Sequence, residues 1–150
     1  MATPKTILLK GDGLFKEALA GGAITPGHLI VRNSSNAFVV GPAATKNAYP
    51  MFALEDEAQG KDITDAYASG EIVNAVIPQT GSEIYALVAA SAGAIVIGDE
   101  LESAGDGTVR KAATTAVAQD NIRRIVARAI EAVDNSANAV SAVRIKIEIV

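Results

Sequence analysis

The side chains that could do chemistry in this sequence are one histidine, two groups of carboxylates and one group of arginines. His28 follows Pro26-Gly27 in a predicted turn, and neither a serine in a nucleophile context nor any cysteine accompanies it. A histidine can act as a general base, but it needs a group to activate within hydrogen-bond reach. We therefore predict a structural role for His28, no catalytic residue and no enzymatic activity.

The carboxylates fall into two groups along the sequence, Glu55-Asp56-Glu57 and the set Asp99, Glu100, Glu102 and Asp106. Hard cations such as calcium prefer oxygen ligands of this kind. The spacing, however, lacks the fixed glycine and the terminal glutamate of a calcium-binding loop. We interpret both groups as solvated strand ends and turns, and we predict no metal site.

Two further patterns complete the candidate chemistry. Asp12 and Asp106 each lie between two glycines, but a phosphate-binding loop needs a further glycine and a long helix behind it. We predict tight turns there and no bound cofactor. Arg123, Arg124 and Arg128 have no aromatic residues between them, and we expect them to pair with acidic groups of this chain or of a neighbour.

The composition limits the classes of function. The 150 residues carry a net charge of −4 with dispersed basic residues, whereas a nucleic-acid-binding face concentrates positive charge. No apolar run reaches the ~20 residues of a membrane span, and the first residues lack the apolar core of a signal peptide. We expect a protein made in the cytoplasm that binds neither nucleic acid nor membrane. Only 4% of the residues are aromatic, so the core is thin and association with partners would add burial.

The stretch from residue 71 to residue 112 organises the chain. It reads as strand, turn, strand, turn, short strand, glycine turn and strand, with breaks at Pro78-Gln79-Thr80-Gly81, Ala92-Gly93 and Gly105-Asp106-Gly107. Glycine supplies positive φ at such breaks, and proline cannot donate to a strand ladder. The sequence therefore predicts a mainly β fold, a small β-barrel or β-sandwich-like domain with short helical turns and an extended N-terminal arm.

Patterns before this stretch predict shorter elements. Four polar turn formers at residues 33–36 lie between apolar runs, which is typical of a hairpin with strands at about residues 29–32 and 37–40. Residues 14–20 favour one or two helical turns. A short strand at residues 51–55 and a surface loop at residues 59–70 complete the first half.

Two runs follow the organising stretch. Residues 143–149 alternate strictly between apolar and charged side chains, which predicts a strand with one wet face. Residues 125–133 match both a strand and a helical face. We favour the strand, because the turn formers at residues 134–138 would then close a hairpin with the final strand.

One short pattern occurs twice. Residues 22–27 and 93–98 both read Gly-Ala-Ile-x-x-Gly, and a leucine follows each at Leu29 and Leu101. We interpret the pattern as a turn used twice. Duplication of half a barrel is the less favoured alternative.

The first residues differ in character from the rest, so we divide the chain into an arm at residues 1–13 and a single β-rich domain at residues 14–150. Residues 5–9 favour an extended segment, and Gly11-Asp12-Gly13 would form a hinge. Such a segment could add a strand to the sheet edge of a partner, where backbone hydrogen bonds supply affinity. It could equally be an ordinary edge strand of this chain's own sheet.

Several segments together resemble the capsid cement, or head decoration, proteins of tailed bacteriophages. They are YPMFALE at residues 49–55, YASGEIV at 67–73, GSEIYAL at 81–87, GDELESAGDG at 98–107, IEAVD at 130–134 and RIKIEI at 144–149. The resemblance implies a small β-rich domain on the outer surface of the expanded phage head. It implies trimers that clamp neighbouring major capsid protein subunits, with no cofactor.

On this resemblance we expect the arm to pair with a strand of the major capsid protein, the β body to form the trimer and the loop at residues 59–70 to lie near a subunit boundary. The expected capsid-binding residues are Ala2, Thr3, Pro4, Lys5, Thr6, Ile7, Leu8 and Leu9. Two alternatives stay open. One is another virion part, such as a tail tube or fibre base, and the other is a small-barrel accessory or ligand-binding domain of an enzyme.

Overall fold

The computed structural model describes residues 3–44, 46–113, 124–137 and 143–150. Its strands are β1 (Leu8–Lys10), β2 (Gly13–Leu19), β3 (Ile30–Arg32), β4 (Phe38–Val40), β5 (Phe52–Ala53), β6 (Ile72–Pro78), β7 (Glu83–Leu87), β8 (Ala94–Ile95), β9 (Glu100–Ser103), β10 (Val109–Lys111), β11 (Ile125–Ala129), β12 (Val133–Asp134) and β13 (Arg144–Ile149). The helical structure in the described residues is one 3₁₀ turn at Glu57–Gln59. No helix in this part of the chain is long and apolar enough to cross a membrane.

The predicted mainly β fold is confirmed, in the form of several small antiparallel sheets. Over the residues that the structure describes, these sheets do not close into a barrel, so of the two predicted shapes the sandwich-like one is compatible. The largest sheet has six strands in the order β1-β7-β13-β11-β9-β10. Its inner face is built from aliphatic side chains such as Ile84, Leu101, Ile145 and Ile147, all fully buried.

The second sheet, β2-β6-β5, lies with the β3-β4 hairpin in the first half of the chain. Strand β6 is buried on both of its faces, because Val76 belongs to the main core while Val73 and Ala75 belong to a second cluster. Phe38 and Tyr67 are the largest side chains of that second cluster. Strand β6 therefore joins the two cores.

The helical turns predicted at residues 14–20 are wrong. Residues 13–19 form β2, which pairs with β6 over seven consecutive positions from Gly13↔Pro78 to Leu19↔Ile72. The helix-forming residues of this segment would supply only one or two turns, and so short a helix has no stability of its own. The ladder with β6 satisfies the same backbone groups in an extended conformation, so tertiary pairing overrides the local preference.

Most of the strand predictions are confirmed. The hairpin around residues 33–36 is β3-β4. The organising stretch contains β6 to β10, with the three expected breaks and a further one at residues 96–99 that was not predicted. Strand β11 begins at Ile125 and pairs antiparallel with β13, whose Ile145, Ile147 and Ile149 are buried. The connection between β11 and β13 is not a simple hairpin turn, since β12 lies within it and pairs with β8. Residues 138–142, which include the end of the predicted turn, lie outside the described residues.

The chain contains two repeats of one architecture, residues 13–78 and residues 81–149. In the first repeat, β6 pairs antiparallel with β2 and β5; in the second, β13 pairs in the same way with β7 and β11. The hairpin β3-β4 has its counterpart in β9-β10. Parallel bridges attach the two hairpins in the same manner, Ala20↔Phe38 in one repeat and Val88↔Val109 in the other. The short sequence pattern noted above therefore occurs at equivalent positions of two repeats that share their strand pairing. Since the sheets of the described residues do not close into a barrel, these repeats are not the half-barrels of the less favoured alternative.

Candidate binding surfaces

The segment expected to bind a capsid protein is partly built into this chain's own sheet. Ile7 is fully buried, its N–H donates to Oε2 of Glu55 at 3.0 Å, and its carbonyl accepts from the N–H of Tyr85 at 2.8 Å. Leu8–Lys10 then forms the edge strand β1 beside β7. Of the two interpretations left open, the ordinary edge strand is the one observed for these residues. The hinge at residues 11–13 is a tight link from β1 into β2.

The described residues before Ile7 are more exposed to solvent than Ile7. Thr3 and Lys5 are exposed, and Pro4 and Thr6 are half-buried. Ala2 lies outside the described residues. Because β1 is the first strand of its sheet, its outer edge faces away from β7. The part of the segment that is available to another protein is therefore residues 3–6 together with that outer edge.

Strand β2 offers a second open edge. It is the first strand of the order β2-β6-β5, and five of its seven residues are exposed. Among these are the large apolar side chains of Leu14, Phe15 and Leu19, and Ile72 beside Leu19 on β6 is also exposed. An exposed strand edge with apolar side chains is a template for pairing with another chain.

A groove of about 510 Å³ lies between the N-terminal segment and β2. Its lining includes Leu8, Phe15, Lys16, Glu17 and Leu54, together with Glu55 and Glu57. The groove thus combines apolar walls with both signs of charge. It connects the two open edges, so a partner segment could contact both.

His28 makes a structural hydrogen bond within its own turn. Its Nδ1 accepts a hydrogen bond from the N–H of Thr25 at 3.0 Å and so closes the turn at residues 25–28. Burial lowers the pKa of His28, the nearby carboxylate of Asp106 raises it and Arg144 lowers it, with a net lowering. The neutral ring that results can accept at Nδ1, as this turn requires.

The turn at residues 96–99 has the same geometry. The N–H of Val96 donates to Oδ2 of Asp99 at 3.0 Å, so Asp99 does here what His28 does in the first repeat. Gly27 and Gly98 both have φ 93°. Their N–H groups donate to Ala53 and Ala129, each at 2.8 Å. We call residues 25–28 the first turn and residues 96–99 the second turn; the predicted repeated turn is confirmed.

The interpretation of all carboxylates as solvated is wrong for Glu102. Its side chain is fully buried, with Nη2 of Arg110 at 3.1 Å from Oε1 and Nη1 of Arg124 at 3.6 Å from Oε2. A buried carboxylate costs free energy unless cations or hydrogen bonds compensate it. The two arginines supply that compensation, one from the neighbouring strand β10 and one from the residue that precedes β11.

The remaining carboxylates of the second group, Asp99, Glu100 and Asp106, also have partners. Asp99 contacts Lys111 at 2.9 Å, and Glu100 contacts Arg128 at 3.7 Å. Burial by itself would raise the pKa of Asp106, but hydrogen bonds from the hydroxyl and the N–H of Thr108 lower it overall. The expected pairing of the arginines with acidic groups is confirmed for Arg124 and Arg128, whereas Arg123 lies outside the described residues. Within the described part of the chain, no three such side chains are arranged to hold a metal ion.

Sequence reasoning missed the open edge of β2, because residues 14–20 were interpreted as helical. A signal was present. Leu14, Phe15 and Leu19 are apolar residues in a segment flanked by glycines, and GLFKEALA at residues 13–20 aligns with GSEIYALV at residues 81–88 at Gly, Ala and Leu. The second of these segments was predicted as a strand.

The comparisons with known proteins find a similarity of fold rather than of sequence. No protein-family model matches the sequence, and no curated protein is similar to it at a significant level. The fold is similar to the crystal structure of the head fiber gp8.5 N base of bacteriophage phi29, with a TM-score of 0.57. The likeness covers 91% of this chain and 93% of that one, at 11% sequence identity. At this identity the likeness shows that the two chains share a fold.

Proposed function

We propose that this chain is a structural protein of a tailed-bacteriophage virion, and specifically a decoration (cement) protein. In this proposal it binds the outer surface of the expanded head as a homotrimer and stabilises contacts between major capsid protein subunits. It breaks no covalent bond and needs no cofactor. The observation that carries the proposal is the fold shared with the phi29 head fiber base along nearly the whole chain.

The surfaces of the molecule support this function. A protein that joins other proteins needs open strand edges and apolar patches, and both occur at β1 and β2. Three modest contacts on one rigid trimer can exceed any single contact by 10²–10⁴ in affinity. The chain therefore needs no single strong site in order to hold a capsid.

We propose fewer capsid contacts in the N-terminal segment than the sequence alone suggested. Ile7 and β1 are committed to the chain's own sheet, so residues 3–6 and the outer edge of β1 are the proposed capsid contacts. The exposed loop at residues 59–70 is anchored by Ile63 and Tyr67, which are buried. We propose that its remaining residues lie near a boundary between capsid subunits.

The direct experiment is co-sedimentation of the purified protein with expanded phage heads that lack decoration. We expect saturable binding, and we expect removal of residues 1–5 to weaken it at least about tenfold. That deletion stops before Ile7 and so spares the core. Ser34→Ala, in the exposed turn between β3 and β4, is the matched control and should bind like the unchanged chain. Absence of binding to heads would refute the decoration function.

A head-fibre base is the second candidate, and the likeness in fold to the phi29 head fiber base favours it. A fibre base would be the attachment point of a fibre that projects from the head, whereas a decoration protein would lie flat on the shell. Electron microscopy of particles with labelled protein separates these outcomes and also detects a position on the tail. A ligand-binding accessory domain would instead show thermal stabilisation by a small ligand.

A further inference from the structure

The two repeats contact each other through the first turn. The carbonyl of Pro26 accepts from Nη1 of Arg144 at 2.7 Å, and the carbonyl of Gly27 accepts from the N–H of Leu87 at 3.4 Å. A Cβ at Gly27 would lie 2.9 Å from the carbonyl oxygen of Tyr85, so the turn packs directly on the backbone of β7. Pro26 and Gly27 are both buried. The first turn of repeat one thus docks on β7 and β13 of repeat two.

Each half of this contact has a counterpart in the other repeat. The second turn corresponds to the first, as the matching hydrogen bonds show. The pair Leu87↔Arg144 on β7 and β13 corresponds to the pair Leu19↔Ile72 on β2 and β6. The contact equivalent to that of the first turn with β7 and β13 would therefore join the second turn to β2 and β6.

Within one molecule that second contact is not made. Ile97, at the position of the buried Pro26, is 69% exposed, and a Cβ at Gly98 would meet no atom within 4 Å. Leu19 is 55% exposed although its counterpart Leu87 is 3% exposed, and Ile72 is 60% exposed. Both surfaces are therefore open, and both belong to described residues.

The backbone at the open edge is suited to the same hydrogen bond. The N–H of Ala20 donates to the carbonyl of Glu71, and hydrogen-bonded pairs alternate with non-bonded pairs in an antiparallel ladder. The N–H of Leu19 therefore points away from β6. On β7 the corresponding N–H, that of Leu87, is the one that binds the first turn.

The side chains at the two open surfaces are also complementary. Val96 and Ile97 make the second turn apolar, where the first turn has Thr25 and Pro26. Leu19 with Ile72 makes the β2-β6 surface apolar, where the internal contact uses Arg144. Exposed apolar groups of this kind mark interaction sites. The second turn would fit the β2-β6 surface, which every copy of this chain carries, so the expected partner is a second copy.

We propose that the second turn of one copy docks on β2 and β6 of another copy, and so reproduces between molecules the contact that the first turn makes with β7 and β13 within one. The contact is head-to-tail, since each copy contributes a different surface, and a set of such contacts closes into a ring when the rotation permits. The inference rests on the self-association contained in the proposed function and does not depend on capsid binding.

The first test compares Ile97→Asp with Ile72→Asp by size-exclusion chromatography and light scattering. Each variant loses one surface, and we expect self-association to weaken by about 30-fold or more, as for a buried interface residue. A mixture of the two variants should form a dimer of two copies, because each retains the surface that the other lacks. Val150→Asp is the control, since Val150 is 47% exposed and belongs to neither surface. Unchanged circular dichroism verifies folding.

The second test uses the absence of cysteine from the chain. Copies with Ile72→Cys and copies with Ile97→Cys, mixed and treated with a short bismaleimide, should link into a dimer. Mixtures of Val150→Cys with Ile97→Cys should link only at background level. A monomeric unchanged protein, variants that keep its mass, or linking equal to the control would each overturn the inference. A chain that associates through these surfaces but does not bind phage heads would refute the decoration function and leave this inference standing. A monomer that binds heads would refute this inference and the homotrimer, and would leave head binding standing.

Discussion

Nη2 of Arg110 lies 3.1 Å from Oε1 of Glu102, whose side chain is fully buried between the strands of the β9-β10 hairpin and β11. Arg124, only 14% exposed, approaches the other carboxylate oxygen at 3.6 Å. The N–H of Ala113 also donates to Oε1 of Glu102, at 3.4 Å. One carboxylate therefore holds together the edge of the six-stranded sheet.

We predict that Glu102→Ala lowers the free energy of unfolding by about 3–5 kcal/mol, because it leaves the guanidinium of Arg124 buried without its counter-charge. Denaturant unfolding followed by circular dichroism measures the change. Glu100→Ala, which removes an exposed pair with Arg128 at 3.7 Å, is the control and should cost less than about 1 kcal/mol. Equal effects of the two substitutions would contradict this role for Glu102.

Structural elements that depend only on residues adjacent in the sequence could be predicted. The alternation in β13 reflects a local period of two, and the β3-β4 hairpin follows from its four turn residues. Strand β2 could not be identified in this way, since its ladder partner β6 lies more than fifty residues along the chain. The burial of Glu102 was hidden for a related reason, because Arg124 approaches it from a distant segment.

The duplication was also hard to see in the sequence. The two repeats need the same residue type at equivalent positions only where the backbone conformation demands it. Gly27 and Gly98, with their positive φ, are such a pair. Elsewhere chemically different residues fill the same role, such as His28 and Asp99 as acceptors in the two turns. The open surfaces of the candidate site depend on which of these equivalent positions are covered, and only the fold reveals that.

A second prediction compares Gly27→Ala with Gly98→Ala. The two glycines share φ 93°, so each substitution pays the same backbone strain of about 1–2 kcal/mol. At Gly27 the new methyl group would also lie 2.4 Å from Nη1 of Arg144 and 2.9 Å from the carbonyl of Tyr85, whereas it meets nothing at Gly98. Overpacking of this kind adds about 1–3 kcal/mol.

We therefore expect Gly27→Ala to destabilise the fold more than Gly98→Ala by that margin in denaturant unfolding. Both are best measured in the Ile97→Asp background, which removes self-association from the comparison. Equal losses at the two positions would show that the first turn does not pack on β7.

A third prediction concerns pH and His28. Burial lowers the pKa of His28 in the fold below the usual 6.5, so the unfolded chain binds a proton more readily. The stability that the neutral ring provides is complete above pH ~6.5 and is lost as the pH falls from there through the lowered folded-state pKa. The pKa of the neighbouring Asp106 is lowered too, so that carboxylate titrates at more acidic pH and does not obscure this window.

We expect the free energy of unfolding to fall between pH 7.5 and pH 5.5 in the unchanged chain and to stay level over that range in His28→Asn. Asparagine keeps an oxygen that can accept from the N–H of Thr25, as Asp99 does in the second turn, but it does not titrate. His28 is the only histidine in the chain, so no other imidazole contributes. A parallel decline in the variant would assign the effect to other groups.

The last prediction separates the two parts of the N-terminal segment. Ile7 is fully buried in the main core, and replacing a buried isoleucine with alanine removes apolar contacts and leaves a cavity. Ile7→Ala should therefore lower the free energy of unfolding by about 2–5 kcal/mol in denaturant titration. Lys5→Ala, at an exposed position two residues earlier, should change it by less than about 0.5 kcal/mol. If Ile7→Ala were as mild as Lys5→Ala, the segment would be detached from the core and free to act wholly as an arm; a large loss confined to Ile7 instead limits the available part of the segment to residues 3–6 and the outer edge of β1.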